Sequence, residues 1–119
     1  MSAAAVKLDP LFRVLDEARR IYPSMTVTQL MVFCLVAADP YIGQADLEVK
    51  ADISDASASR IVALLAQFGN RGTEPLNLIS LDTDPKDRRR RIMTLTNKGE
   101  RFIQRMLEQL ERYTNKRTT

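Results

Sequence analysis

Histidine is absent from this 119-residue chain, cysteine occurs once, at Cys34, and glycine four times. No histidine, no cysteine set at metal-ligand spacing and no glycine-rich phosphate loop leaves the usual motifs of metal, nucleophilic and nucleotide chemistry missing. An enzyme is therefore the least expected class, and neither cofactor nor metal is expected. A carboxylate pair brought together only by the fold is the one catalytic device still open. One cysteine rules out an intrachain disulfide and favours a reducing, intracellular setting. No run is long and apolar enough to span a bilayer. The start, from Met1 to Lys7, has neither the basic segment nor the apolar stretch of a signal peptide. The expectation is a cytoplasmic protein with no membrane partner.

What is present reads as a single globular domain over residues 1–119. Hydrophobic residues make up 45% of the chain, too many for wholesale disorder. The formal net charge of +3 says less than its distribution. Lys50 and Arg60 face Asp39, Asp46, Glu48, Asp52 and Asp55, so the stretch 31–60 is acidic. The cations gather at Lys86 to Arg91 and along the last helical stretch, where a polyanion would be met.

After an expected frayed arm at residues 1–7, Leu8, Leu11, Phe12, Leu15, Ala18 and Tyr22 recur at helical spacing, predicting a helix over about 8–22. Pro10 suits its first turn and Pro23 stops it. Its apolar stripe fits a core face and half of a dimer interface alike. Thr26-x-x-Gln29 is a capping box. The helix it opens, Val27 to Ala38, is apolar nearly all round and is expected to be the central buried one. Cys34 within it reads as a small buried hydrophobe, because no adjacent cation would activate its thiol.

Two short helices and a hairpin follow. Tyr41-Ile42 reads as a short strand pairing with the later hairpin. Gly43-Gln44-Ala45 opens a helix ending near Ala51, Asp52-Ile53 turns, and Ser54 is the expected N-cap of the next helix. That helix, over 54–68, would bury Ala58, Ile61, Leu64, Leu65 and Phe68. Its first turn presents Asp55, Ala56, Ser57, Ser59 and Arg60, small polar groups and one arginine, as a major groove requires. The whole, about 43–68, has the form of a helix-turn-helix. Gly69 is a good C′ residue, and Asn70 to Pro75 is a polar segment. Leu76 to Leu81 reads as a strand, Asp82 to Lys86 as the turn, and Arg90 to Leu95 as the returning strand with Ile92 and Thr94 on one face. Lys86, Arg88, Arg89, Arg90 and Arg91 crowd the tip of this wing, about 76–95. Their mutual repulsion is relieved by an anion, which points to phosphate or minor-groove contact.

Thr96 or Asn97 would cap a last helix over about 97–114, with Phe102, Ile103, Met106, Leu107, Leu110 and Tyr113 as its stripe and Asn115 to Thr119 as a polar tail. The fold class expected is mainly α with a small β-hairpin wing (α+β), a winged helix-turn-helix flanked by N- and C-terminal dimerisation helices. The dimer residues expected are Leu8, Leu11, Phe12, Leu15, Phe102, Ile103, Met106, Leu110 and Tyr113.

The stretch Leu47 to Ser54, then Ser57-Ala-Ser-Arg60 and Leu65…Gly69, resembles the helix-turn-helix of the multiple-antibiotic-resistance regulator (MarR) family. Asp84-Pro-Lys-Asp-Arg-Arg followed by Leu95-Thr96-Asn-Lys-Gly99 resembles that family's wing signature and the start of its next helix. The likeness spans about residues 26–99. It implies a homodimeric transcription regulator, bacterial or phage-type and nucleoid-associated, with the recognition helix in the major groove and a wing arginine in the minor groove. Carried to this chain, Ser54, Ser57, Ser59 and Arg60, with Gln44 beside them, would face DNA. Arg89 would be the wing-tip residue and Asp87 would orient the wing. Glu48 in place of a small residue, Asp52 in place of glycine, the 70–75 insertion and a single C-terminal helix depart from the family. The last of these shrinks the place where family members bind small aromatic effectors, leaving ligand control undecided.

Three functions follow. The first is a sequence-specific dimeric regulator, most simply a repressor, on a pseudo-palindromic operator in double-stranded DNA. The second is a winged-helix protein-interaction module in a transcription or replication complex, suggested by the acidic charges around the helix-turn-helix. The third is a non-specific DNA-coating protein.

Overall fold

The capping box written in Thr26 and Gln29 forms as the spacing requires. The Thr26 hydroxyl accepts from the Gln29 amide at 3.1 Å, and the Gln29 side chain accepts from the Thr26 amide at 2.9 Å. The computed structural model describes the backbone of residues 3–66 and 74–118, and side chains over 7–66 and 74–111. The element order is α1 (Ala3–Ile21), α2 (Val27–Ala38), β1 (Ile42–Gly43), α3 (Gln44–Ala51), α4 (Asp55–Leu65), β2 (Ile79–Asp84), β3 (Asp87–Leu95) and α5 (Asn97–Thr118). This is the α+β architecture with a small antiparallel sheet. The chain divides into two compact units, Thr26–Glu100 and the terminal segments Met1–Met25 with Arg101–Thr119.

In the central unit, α2 buries Val32, Phe33 and Val36 completely. Each such side chain contributes about 1.5–3 kcal/mol of transfer free energy. Cys34 is not a core residue: it is exposed, on the same side of α2 as Val27 and Met31. A helix apolar on every side cannot all be buried, and nothing in its own sequence says which stripe stays out. Asp52 ends α3 with φ 54°, in the left-handed region that Asp tolerates. Ser54 caps α4, accepting from the Ser57 amide at 3.1 Å.

The expected helix over 54–68 stops earlier, with Ala66 as its C-cap. The reason lies farther along the chain. The carbonyls of Leu64, Leu65 and Ala66 accept from the amides of Leu76, Leu78 and Asn77 at 2.9, 2.7 and 3.0 Å. These bonds close the helix end. They also engage Leu76 and Leu78, so β2 starts at Ile79 rather than Leu76. Val62 is buried where Ile61 was expected, and Ile61 is half-exposed. Phe68, Gly69 and the first part of the 70–75 segment lie outside the described residues.

The sheet order is β1-β3-β2, all antiparallel. The turn is tighter than the sequence suggested, because Asp84 pairs with Asp87 around Pro85-Lys86 after a register shift at Thr83/Asp84. Ile92 and Met93 are both buried, although they point to opposite faces, and Thr94 is half-exposed. Thr96 stitches the sheet to α5: its hydroxyl accepts from the Gly99 amide at 3.0 Å and donates to the Asn77 carbonyl at 2.7 Å.

In the terminal unit, α1 begins at Ala3, where a frayed arm was expected, and so carries Pro10 inside the helix. Proline there removes one backbone donor, but its fixed φ is helical. Ala18 is buried, whereas Leu8, Leu11, Phe12 and Leu15 are exposed. Asp16 accepts from Arg19 and Arg20, and these bonds, Arg19 first, hold its carboxyl below the ordinary value. On α5, Phe102 and Met106 are buried, and Arg105 pairs with Glu17 of α1 at 3.4 Å. The helix runs to Thr118, about 33 Å at the standard rise, where a tail was expected from Asn115.

Candidate nucleic-acid interface

The start of α4 is set by hydrogen bonds that reach across the helix pair. Gln44, the first residue of α3, donates from its amide nitrogen to Asp55 Oδ1 at 3.0 Å and to Ser59 Oγ at 3.2 Å. Its side chain thus holds the exposed carboxylate of the first residue of α4 in a fixed place. Asp55 was not among the residues singled out for DNA, because a carboxylate near phosphate reads as repulsive. A pre-oriented carboxylate is, however, able to accept from a cytosine amino group in a major groove. The pairing of a glutamine at one helix start with an acid eleven positions on is a signal visible only once the two helices are packed.

The expected recognition residues divide between two sides of α4. Ser59 lines a cleft with Gln44, Val62, Ala63, Leu81 and Arg91, so it sits beside the wing. Ser57 and Arg60 instead line a cleft with Thr26 and Gln29, at the capped start of α2. Ser54 is committed to its cap, and Ser57 is half-buried with its Oγ 3.1 Å from Ser54 Oγ. Asp55, Ala56, Ser59 and Arg60 are exposed in the first turns of this helix, and Asp55, Ser59 and Arg60 are the polar ones among them.

The wing carries Lys86, Arg88, Arg89, Arg90 and Arg91, all exposed. Two carboxylates order its tip. Asp84 Oδ1 accepts from the Lys86 amide at 2.9 Å, and Asp87 Oδ1 accepts from the Arg89 amide at 3.0 Å. The Lys86 amide above all, and then Arg90, hold the Asp84 carboxyl below the usual carboxylate value. Arg89, Arg90 and Arg91 line one cleft with Gly43, Gln44, Ala45 and Asp46 at the start of α3. That cleft combines guanidinium groups with the N-terminal end of a helix, whose amides and dipole favour an anion. Lys86 and Arg88 stand apart from these clefts, Lys86 in the turn and Arg88 at the outer end of β3.

The residues expected at a dimer interface fall into two sets. Leu8, Leu11, Phe12, Leu15 and Leu110 are between 44% and 64% exposed and offer apolar surface. Ile103 is half-exposed. Phe102 and Met106, at 0% and 3% exposure, are buried within the chain itself and have no surface to offer a second copy. The Tyr113 side chain lies outside the described residues.

No protein-family model and no curated protein matches the chain. Solved structures do. A crystal structure of MarR covers 88% of this chain and 75% of its own length, with a TM-score of 0.60 and 22% identity. The transcriptional regulator Tm0710 from Thermotoga maritima covers 96% and 76%, with a TM-score of 0.66 and 22% identity. BpsR from Bordetella bronchiseptica, whose DNA binding is regulated by 6-hydroxynicotinic acid, covers 95% and 81%, with a TM-score of 0.57 and 21% identity. The chain therefore has the MarR-like winged-helix fold.

Proposed function

We propose that this protein is a homodimeric, sequence-specific double-stranded DNA-binding transcription regulator, not an enzyme, acting on DNA in the bacterial cytoplasm. One observation carries the reading: Ser59 of α4, Gln44 of α3 and Arg91 of β3 line a single cleft. A helix start of small polar groups therefore stands directly beside a ribbon bearing four consecutive arginines. The helix start suits base edges, which specify. The arginines suit phosphates or a narrow minor groove, which position. Similarity of fold to regulators whose DNA binding is documented supports the same assignment. In it, Asp55, Ser59 and Arg60 contact bases or adjacent phosphates, and Arg88, Arg89 and Arg91 contact the backbone. The exposed faces of α1 and α5 join two copies on a pseudo-palindromic operator with half-sites about one helical turn apart. Repression follows most simply, by occlusion of the operator.

Selection of binding sites from random duplex DNA at near-physiological salt tests this reading. The expected result is an enriched inverted repeat. Arg89→Ala is then expected to weaken binding across all sequences and make the salt slope shallower by about 0.9. Changes at Ser59 or Arg60 are expected to shift sequence preference. Binding without enrichment, lost steeply as salt rises, means a DNA-coating protein. No binding at any salt overturns the assignment in favour of a protein partner.

A further inference from the structure

The four wing arginines are not equivalent. Arg90 Nη1 donates to Asp84 Oδ2 at 3.1 Å, and Arg90 Nη2 lies 3.6 Å from Asp46 Oδ2 on α3. Among the described residues, it is the wing arginine whose guanidinium is held in ion pairs. Its head group also lies over Gly43. A Cβ on Gly43 would stand 2.7 Å from Arg90 Nε, closer than side chains approach, and 3.2 Å from Cζ, a tight contact. Gly43 has φ −86° and ψ 159°, ordinary extended backbone open to any residue. The space over Gly43 is filled by the Arg90 head group, and a side chain at this position would have to displace it.

The position of this contact along the ribbon gives it a purpose. β1 supports β3 only at Ile42↔Met93 and Gly43↔Ile92. Beyond Ile92 the hairpin continues as two strands, and a two-stranded ribbon is weakly determined in twist and direction. Arg90 is two residues past the last β1 pair, where the ribbon leaves the sheet. Its partners lie on either side of that exit: Asp84 belongs to the turn through the Lys86 amide, and Asp46 belongs to the first turn of α3.

Building on the DNA-binding reading above, we propose that Arg90 is a positioning residue. Clasped between Asp84 and Asp46 over Gly43, it fixes the wing against α3 and so sets where Arg89 meets DNA, while Arg88, Arg89 and Arg91 supply the contacts. A further consequence is electrostatic. Arg90 neutralises two carboxylates that would otherwise stand near phosphates.

Gly43→Ala separates this role from direct contact, because its methyl group pushes the Arg90 head aside and removes no charge. The full-length protein, Gly43→Ala, Arg90→Ala and Arg89→Ala are compared for binding to a mixed duplex DNA across salt concentrations. Backbone order of residues 84–90 in the free proteins is followed by amide relaxation. The clasp predicts that Gly43→Ala binds about tenfold more weakly with its salt slope unchanged, the scale of one lost contact. It also predicts loss of order at 84–90 in both Gly43→Ala and Arg90→Ala. Should Gly43→Ala bind as tightly as the parent or more tightly, while Arg90→Ala lowers the salt slope by about 0.9, Arg90 is a phosphate contact and the clasp is overturned. If the parent itself binds no DNA, the functional reading fails separately. The clasp then stands or falls on whether 84–90 loosens. If Gly43→Ala does not fold, Arg90→Ala decides by the same two readouts.

Discussion

Gly99 lies with its Cα against the carbonyl oxygen of Leu78, so that a Cβ at this position would overlap that oxygen. The same oxygen accepts from the Thr96 amide at 3.1 Å. Two opposing effects bear on Gly99→Ala. Helix propensity favours alanine by about 1 kcal/mol. Overpacking against backbone, which cannot rotate aside, costs about 1–3 kcal/mol or more, and the displaced oxygen would also lose its donor. The second wins, so Gly99→Ala should destabilise the protein by about 2 kcal/mol in urea unfolding. A stabilised variant would mean that Leu78 and the start of α5 do not meet in this way.

A different surface is tested by charge on α1. Phe12 is 64% exposed beside Leu8, Leu11 and Leu15, a contiguous apolar patch of the kind that marks an interface. Phe12→Asp should leave the fold intact and turn a dimer into a monomer in sedimentation. It should also abolish cooperative occupation of an inverted repeat. A parent protein that sediments as a monomer at micromolar concentration would remove the dimer from the functional reading.

The tip of the wing has its own pH dependence. Asp84 has a lower pKa in the fold than in the unfolded chain, through the Lys86 amide first and Arg90 second. Its contribution is therefore complete above the unfolded value of about 3.9 and disappears as pH falls through the lower folded value. Carboxyl NMR should show Asp84 titrating below a free aspartate, with the Lys86 amide resonance moving in the same acid window. Asp84→Asn should abolish that movement.

Cys34 provides a chemical probe. Its side chain reaches the surface, yet neighbouring atoms partly desolvate it and push the thiol pKa up. It should be labelled slowly by an alkylating reagent at pH 7, where the neutral thiol dominates, and faster only above the range of an ordinary thiol. Rapid labelling at pH 7 would show a thiolate stabilised by its surroundings and reopen a redox role.

Much of this architecture was legible because its determinants are local. The Thr26–Gln29 box, the Ser54 cap and the turn at Asp52 each depend on residues within four positions, and each formed where expected. The wing and its partner strand at Ile42 were legible from composition and turn chemistry. What escaped depends on distant backbone or on which face is covered. The end of α4 is decided by amides ten or more positions later. The exposure of Cys34 depends on how an all-apolar helix is rotated. Arg90 could not be told from its neighbours in a run of four, because its distinguishing partners, Gly43 and Asp46, arrive through the pairing of β1 with β3. The wing residues Lys86, Arg88, Arg89 and Arg91 are exposed as the charge run suggested. Ser54 and Ser57 are drawn into capping.

The three backbone bonds from residues 76–78 to the last carbonyls of α4 make the ends of the intervening stretch meet, whatever its length. Lengthening a closed loop is cheap, about 0.6 kcal/mol for each doubling. Additional codons between those for Ala66 and Leu76 should therefore leave the helix end and the strand start in place. That makes the sequence between these two fixed points a natural place for an evolving gene to vary the size of the protein.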